Sequence, residues 1–514
     1  MFKQIRVFIL IFFVFSLAYG INTTSNNMAV YIKTISFKGA VNKKELVDLK
    51  NISKQYINKK LNLKDIKKLK NRLSSYFKDR GLFFKKVILP VQDITKGSLV
   101  FYVIKTKLKN IKIEGNKYFS TKFIKRVFGF KSGEYLQYDK MLRNILVLNS
   151  YQDMSVKSYL KKGSDFGTTD VILKVEDKKP FHSTISFDNY GSQETAKNRV
   201  NIGVNYGNLL YDGDELSFKT TMGISSFNDS TRLFMFNYVT TPLGEYDIRL
   251  NAGYVYADYV VTGDLSVLDL KGDTKIYRYG ISQPLYYSTV LKSDILLNYY
   301  IKDTKSFLLG DVSTKDHLNL IELKFNSQYR RLKDIITYAI GVSRGISEDN
   351  AMKSRIDSDD RFTKCNLNAS YQRYINPKNS FKVSFNSQYT KERLPLSELL
   401  TSGIKGTDGT KVLGDSGINT KVEWFYYPKL DYFDWLKKYS MQIEFSLNYV
   451  KAFSNATVPG EAKSSYMTTA GSEIGLSIKK RYFGRISLSM PVNSSDSTIE
   501  RKIQIYGYIG MKFW

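Results

Sequence analysis

One cysteine, two histidines and nine prolines in 514 residues exclude several kinds of chemistry at once. Cys365 has no partner for an internal disulfide, so a small disulfide-stapled fold is ruled out. His182 and His317 stand far apart and in no ligand-spaced motif, which argues against a zinc site or a His-based active site. All three residues read as structural. There is no nucleophile elbow, no phosphate-binding glycine loop and no cluster of metal ligands, so neither an enzyme nor a cofactor is expected. Beyond residue 17 no apolar run approaches the roughly 20 residues that a membrane helix needs. The mature chain is therefore either water-soluble or a membrane β-barrel, the one other structure that satisfies its backbone within lipid.

What is present points outward from the cell interior. Lys3 and Arg6 precede an almost wholly apolar stretch from 7 to 17, and Ala18 and Gly20 are small, the pattern of a signal peptide (1–20) cut after Gly20. A short segment, 21–30, then leads into the first folded module. The 38 Tyr and 32 Phe, with a mean hydropathy of −0.30, fit a strand-rich chain in which half of each strand faces water. The net charge of +30 is unevenly placed. Residues 21–177 hold 33 Lys and Arg against 13 Asp and Glu; residues 178–514 hold 43 against 35. The lysines are dispersed and no nucleic-acid motif accompanies them, so no nucleic-acid partner is expected. A solvated surface accounts for them, or attraction to an acidic partner chain.

Periodicity divides the chain in three. Residues 31–107 read strand, helix, helix, strand, strand, with Ile66, Leu69, Leu73 and Phe77 on one helical face. Residues 108–177 repeat that order, with helices over 120–130 and 138–148 and Ser120 as an N-cap. From 178 to 514 the period is two, and sixteen strands begin near 181, 198, 214, 230, 245, 274, 288, 316, 334, 363, 379, 417, 439, 465, 482 and 502. In the clearest of them Ile443, Phe445, Leu447 and Tyr449 alternate with Gln442, Glu444, Ser446 and Asn448. A lipid-facing charge costs on the order of 2 kcal/mol, so the polar face must line a lumen. Val422, Trp424 and Tyr426 oppose Asn419, Lys421 and Glu423 by the same logic. Ile503, Ile505, Ile509, Met511 and Phe513 likewise alternate with Gln504, Tyr506, Tyr508 and Lys512. The expected fold is a transmembrane antiparallel β-barrel of 16 strands preceded by two α/β modules, and sixteen strands are wide enough for a water-filled channel.

Specific segments carry a resemblance. GLFFKKVILPVQDITKGSLVFYVIKTKL (81–108) resembles the end of the first POTRA domain of bacterial two-partner secretion transporters, the haemolysin and filamentous-haemagglutinin activator-secretor type. IEGNKYFS (113–120) with LNSYQDMSVKSYLKKGSDFGTTDVILKVED (148–177) resembles the second, and NRVNIGVNYGNLLYDGDELSFKTTMG (198–223) the start of the barrel. The resemblance implies POTRA domains at 31–107 and 108–177 in the periplasm and an outer-membrane barrel at 178–514. It also implies a loop inserted in the pore over 393–416. SGIKGTDGTKVLGDSGINTKVEWFYYP (402–428) is similar to that loop. Where the family has Val-Arg-Gly-aromatic at the tip, this chain has Ile404-Lys405-Gly406-Thr407. The following turn is Gly414-Asp415-Ser416-Gly417, and the strand glutamate is Glu423. The aspartate that receives the tip arginine in the family is replaced by Asn448. A lysine and an amide make a weaker pair than a bidentate arginine–carboxylate, so Lys405 is expected to reach Glu423, Glu444 or Asn448.

The implied function is secretion of one unfolded partner protein, a large adhesin, haemolysin or contact toxin, with no chemistry done on it. An outer-membrane protein-assembly factor of the same superfamily is the alternative. Capture is expected at exposed sheet edges of the two modules, Phe84, Lys85, Lys86 and Val87 in the first and Val156, Lys157, Ser158 and Tyr159 in the second. Outer-membrane lipids surround the barrel, and barrel-assembly machinery, which reads an aromatic end such as Phe513-Trp514, inserts it. Because only a short stretch precedes the first module, the N-terminal plug helix that many members of the family carry is not expected, and the loop after the eleventh strand is the expected obstruction.

Overall fold

A computed structural model describes residues 29–192, 195–224, 231–244, 247–261, 263–347, 352–403, 411–430, 437–455, 458–497, 499 and 501–513. The expected signal peptide and its cleavage site lie outside the described residues, as does Trp514. The chain divides into two compact units, 1–178 and 179–514.

The first unit contains two modules. In chain order these are β1 (Val30–Ile32), β2 (Thr34–Gly39), α1 (Lys43–Ser53), β3 (Lys59–Leu61), α2 (Leu63–Asp79), β4 (Lys85–Ile88) and β5 (Ser98–Lys105). The second module follows with β6 (Lys107–Glu114), α3 (Thr121–Phe128), α4 (Tyr138–Leu148), β7 (Met154–Lys162) and β8 (Thr168–Asp177). The helix α2 starts where Asn62 accepts the Asp65 amide at 2.9 Å and Asp65 returns to the Asn62 amide at 3.1 Å. That reciprocal cap satisfies two donors left open by the first turn. Its apolar face then buries Ile66, Leu69, Leu73 and Phe77 against Leu99, Phe101 and Val103 of the sheet. Ser120 caps α3 by accepting the Phe123 amide at 3.1 Å.

The two sheets share one plan. In the order β2-β5-β4 the first strand runs parallel to the central one and the last antiparallel; β6-β8-β7 repeats this. The duplication extends to single residues. Gly39 is the last residue of β2 and Gly115 follows the last residue of β6, with φ of +96° and +92°, and a Cβ on either would lie 2.4 Å from the carbonyl oxygen of Val103 or Val175. Only glycine fits such an approach.

In the second unit, sixteen strands from Phe181–Asp188 to Gln504–Phe513 form a closed antiparallel barrel, the last pairing with the first. The strand starts agree with the period-two reading, the largest difference being residue 316 against Asp311. Outward residues such as Phe445, Leu447, Ile474, Ile486, Ile505 and Ile509 are exposed, as lipid-facing side chains must be. Inward residues are mostly polar and pair with one another across strands. Connections after odd-numbered strands leave the barrel at the end opposite Phe181, and the described parts of three of them meet there through Arg355, Asp415, Asn455 and Glu461. Among the described residues no helix is long and apolar enough to cross a membrane.

Candidate functional site

The eleventh barrel strand (Asn379–Thr390) and the twelfth (Ser416–Tyr426) pair directly, and the chain between them turns into the lumen. A short helical turn, Leu396–Glu398, leads into a hairpin of Leu400–Gly403 with Lys411–Gly414. Leu394 and Leu399 pack on Leu318 and Leu320, lumenal residues of the eighth strand (Asp311–Arg330), together with Phe362. Leu400 and Val412 pack on Val450, Ala452, Met467 and Tyr506 of the opposite wall. These wall residues occupy inward positions that are otherwise largely polar. Apolar side chains facing a pore are covered here by the hairpin, which removes them from water. Asn419 donates to the Ser402 hydroxyl at 2.9 Å, fixing the hairpin beside the twelfth strand.

Two ionic sites moor the base of this segment. Glu398, 3 % exposed, lies between two lumenal ammonium groups, Lys302 at 2.5 Å and Lys364 at 2.7 Å. At the mouth, Asp415 is fully buried and accepts four hydrogen bonds. Arg355 donates two of them at 2.7 and 3.2 Å, and the amides of Leu394 and Asn455 donate at 2.6 and 2.7 Å. Arg355 also reaches Glu461 at 2.7 Å, and Arg393 completes the cluster at 2.5 Å from the same carboxylate. Burial alone would push the Glu461 carboxyl up, but hydrogen bonds from Arg355 and Arg393 outweigh it and hold it below the usual range. Three mouth connections are thereby tied together. Gln388 donates to the backbone carbonyls of Glu398 at 2.9 Å and Asp415 at 3.0 Å, joining the two sites where the hairpin leaves the wall.

The turn expected at Gly414-Asp415-Ser416-Gly417 is a bend at Asp415 between two strands. Gly414 ends the hairpin and Gly417 belongs to the twelfth strand, so Asp415 is a buried junction between two strands. The glycines serve close approach: a Cβ on Gly414 would lie 2.7 Å from the Phe453 carbonyl oxygen, and one on Gly417 2.4 Å from that of Lys451. The tip, Ile404, Lys405, Gly406 and Thr407, lies outside the described residues.

Of the expected tip partners, Glu423 and Glu444 both face the lumen and share Lys421, at 2.7 and 2.9 Å, while Lys382 approaches Glu423 at 3.1 Å. Asn448 of the thirteenth strand (Tyr439–Phe453) stands opposite Lys421. Both carboxylates therefore have strand-borne partners already. Among the expected capture residues, Phe84, Val87 and Val156 point into module cores, and Lys85 is bound to Glu45 at 2.5 Å. Lys86, Lys157 and Tyr159 are exposed and Ser158 is half-buried. β4 and β7 are outermost in their sheets.

Sequence reasoning missed Arg355, Arg393, Glu398 and Glu461. They sit on irregular connections, where no hydrophobic period marks which side chains turn inward.

A closed barrel with a polar lumen, an apolar outer belt and a connection lodged in that lumen defines an outer-membrane transport channel. The chain belongs to the family of haemolysin secretion/activation proteins ShlB/FhaC/HecB, whose family model matches residues 167–449, and a ShlB-type POTRA domain model matches 30–106. The heme/hemopexin transporter protein HuxB of Haemophilus influenzae is 22 % identical over 480 residues, 90 % of this chain and 83 % of its own length. The outer membrane transporter CdiB of Dickeya dadantii is 23 % identical over 360 residues, 68 % of this chain and 63 % of its own. Among solved structures, CdiB from Escherichia coli superposes with a TM-score of 0.77 at 18 % identity, covering 97 % of this chain and 93 % of that one. The protein is thus an outer-membrane pore of two-partner secretion, with its POTRA region in the periplasm.

Proposed function

We propose that this channel binds one unfolded partner protein at its periplasmic modules and threads it outward past the hairpin after the eleventh strand, without altering it covalently. The observation that supports this reading most is the mooring of that hairpin in the lumen by Glu398 and Asp415. Between these two fixed points the hairpin is held only by apolar packing and one neutral hydrogen bond, which makes it the part that swings aside. Lys405 would hold the tip in the resting pore, competing with Lys421 for Glu444 or bonding Asn448. Direction comes from the partner, which folds outside and cannot slide back, so no nucleotide is needed. The partner is a large exported chain, an adhesin, haemolysin or contact toxin, a reading supported by the family's description as haemolysin secretion/activation proteins. Surrounding lipid and insertion by barrel-assembly machinery complete the reading.

The decisive test compares proteins in the culture medium of cells with and without this chain. One large secreted protein should disappear with it and return on complementation. Many altered outer-membrane proteins with no secreted protein lost would instead favour an assembly factor. With the partner in hand, Lys405→Ala should lower its secretion while the barrel stays inserted; unchanged secretion would remove Lys405 from the mechanism.

A further inference from the structure

The outer wall of the barrel must be apolar where it meets hydrocarbon, and one part of it carries more than that need explains. From the fourth barrel strand (Arg232–Val239) to the eighth, the ladders set outward side chains in rows across the wall. Tyr238, Ala252, Tyr279, Tyr299 and Ile321 form one row, and Phe236, Tyr254, Tyr277, Ile301 and Asn319 the next toward the mouth. Above these the character changes. The following row is Phe234, Tyr256, Lys275, Asp303 and His317, and the one after it Arg232, Asp258, Asp273, Lys305 and Lys315. On the ninth strand (Asp334–Gly345) the change from Ile340 and Val342 to Arg344 falls two rows lower, as the tilt of barrel strands allows. Phe181 follows the periplasmic modules in the chain, so the charged rows stand at the outer leaflet.

Two of the carboxylates already hold cations. Asp258 accepts from Arg232 at 3.0 Å, and Asp303 lies 2.6 Å from Nδ1 of His317. Lys275, Lys305, Lys315 and Arg344 pair with no carboxylate among the described residues, and Arg344 touches only the Thr363 hydroxyl, at 3.4 Å. On these rows four cations therefore face one carboxylate, Asp273, that has no cation of its own. They come from four consecutive strands, a spread of roughly 14 Å at about 4.8 Å between strands. That is wide for a single phosphate and suits a headgroup bearing more than one.

Below the cations the wall is hollowed. Ala252 is the small member of its row, between Tyr238 and Tyr279, and a groove of about 540 Å³ opens there, lined by Tyr238, Leu250, Ala252, Tyr279, Leu297 and Ile321. Lys275 and Tyr279 share the sixth strand (Lys271–Tyr287). Their separation along it is about 13 Å at the usual strand rise, close to the ~15 Å of hydrocarbon in one leaflet. A lipid whose headgroup sits on the lysines therefore reaches the groove with an acyl chain. We propose that this wall is a binding site for a phosphorylated glycolipid of the outer leaflet, of the lipid A type. Lys275, Lys305, Lys315 and Arg344 take its phosphates, and the groove takes one of its acyl chains. The site needs only the outer-membrane placement of the barrel and is independent of how a partner chain is carried.

The full chain, purified in detergent and stripped of lipid, is titrated with hexa-acyl lipid A, with the same lipid after removal of its phosphates, and with phosphatidylglycerol; bound lipid is read by native mass spectrometry. Phosphorylated lipid A should bind most tightly. Replacing Lys275, Lys305 and Lys315 together by Gln should weaken it about tenfold, as expected of several exposed ion pairs lost at once. The same change at Lys64, Lys67 and Lys68, exposed on α2, removes equal charge and should leave binding as in the wild type. Ala252→Trp fills the groove and should weaken the phosphorylated and dephosphorylated lipids alike. Heat-modifiable migration in gels verifies a closed barrel in every variant. Equal binding of lipid A with and without phosphates, or of phosphatidylglycerol as tightly as lipid A, overturns the site. So does an equal loss from the two triple variants, which would reduce the effect to net charge.

Discussion

The two units solve opposite problems with the same residue types. In the N-terminal modules Leu49, Leu69, Leu73, Phe77 and Phe101 are shut away from solvent and most charges face outward, the Glu45–Lys85 pair being a buried exception. In the barrel Phe445, Leu447 and Ile486 are the outer surface, and the interior holds Asp415, Glu398, Glu423 and Glu444 with their Lys and Arg partners. One interior is held by exclusion of water and the other by matched charge. A buried apolar side chain tolerates many neighbours, whereas a buried carboxylate needs particular donors at particular distances. The barrel interior is accordingly the more specific and the more breakable of the two, and that is where a gate belongs.

The sharpest way to break the comparison is to remove a central group from each interior. Arg355→Ala leaves Asp415 and Glu461 without a shared cation, a loss of about 3–5 kcal/mol for a buried pair broken on one side. The expected result is local: the mouth connections loosen, single-channel conductance in planar bilayers rises or flickers, and the barrel remains folded by its ladder. Unchanged conductance would show that Arg355 does not hold the closed state. Phe77→Ala, in the other unit, should cost a similar 3–5 kcal/mol but act globally on its module, read as rapid proteolysis of the N-terminal region. The matching barrel change, Phe445→Ala, should be far milder, because lipid fills the space.

Next in size is a charge placed on either face of one strand. Leu447→Lys puts an ammonium into lipid and should lower folding yield into vesicles by about 2–4 kcal/mol at mid-bilayer depth. Ser446→Lys, one residue away, faces the lumen opposite Glu423 and Gly471 and should fold normally. Equal defects in both variants would mean that the inside and outside of this strand have been exchanged.

That alternation is why so much of the barrel was legible from the chain. Each strand must present one face to lipid and one to water, so its period survives wherever the chain crosses, and sixteen starts could be placed. The helices α2 and α4 were legible for a related reason, an apolar stripe with a clear beginning and end. The site was not. Asp415 stands between two glycines and looks like a turn, yet it is buried because Arg355, sixty residues earlier, folds over it. Glu398 lies in Leu-Ser-Glu-Leu, where nothing signals that two lysines from distant strands will converge on it. Long-range ion pairs between irregular connections have no periodic trace. Only three-dimensional closure brings their members together. The pairing of β2 with β5 in parallel was hidden for the same reason, since strand direction leaves no mark on a run of four to eight residues.

The gentlest test uses pH, which should act on one interior and spare the other. The Glu461 carboxyl in the folded mouth cluster is held below its ordinary value by Arg355 and Arg393. A depressed carboxylate contributes stability that is fully present above the unfolded value and is lost as pH falls through the folded one. The cluster should thus be insensitive to pH through the neutral range and weaken only in acid, below the usual carboxylate range. The N-terminal modules are held chiefly by apolar packing, with Glu45–Lys85 as a buried ion pair beside it. Conductance recorded from neutral to acid pH should rise as the cluster releases, and Glu461→Gln should abolish that acid step while already conducting more at neutral pH. An acid step of the same size in Glu461→Gln would place the responsible group elsewhere, and Arg355 and Arg393 would then be holding Asp415 and the backbone without help from Glu461.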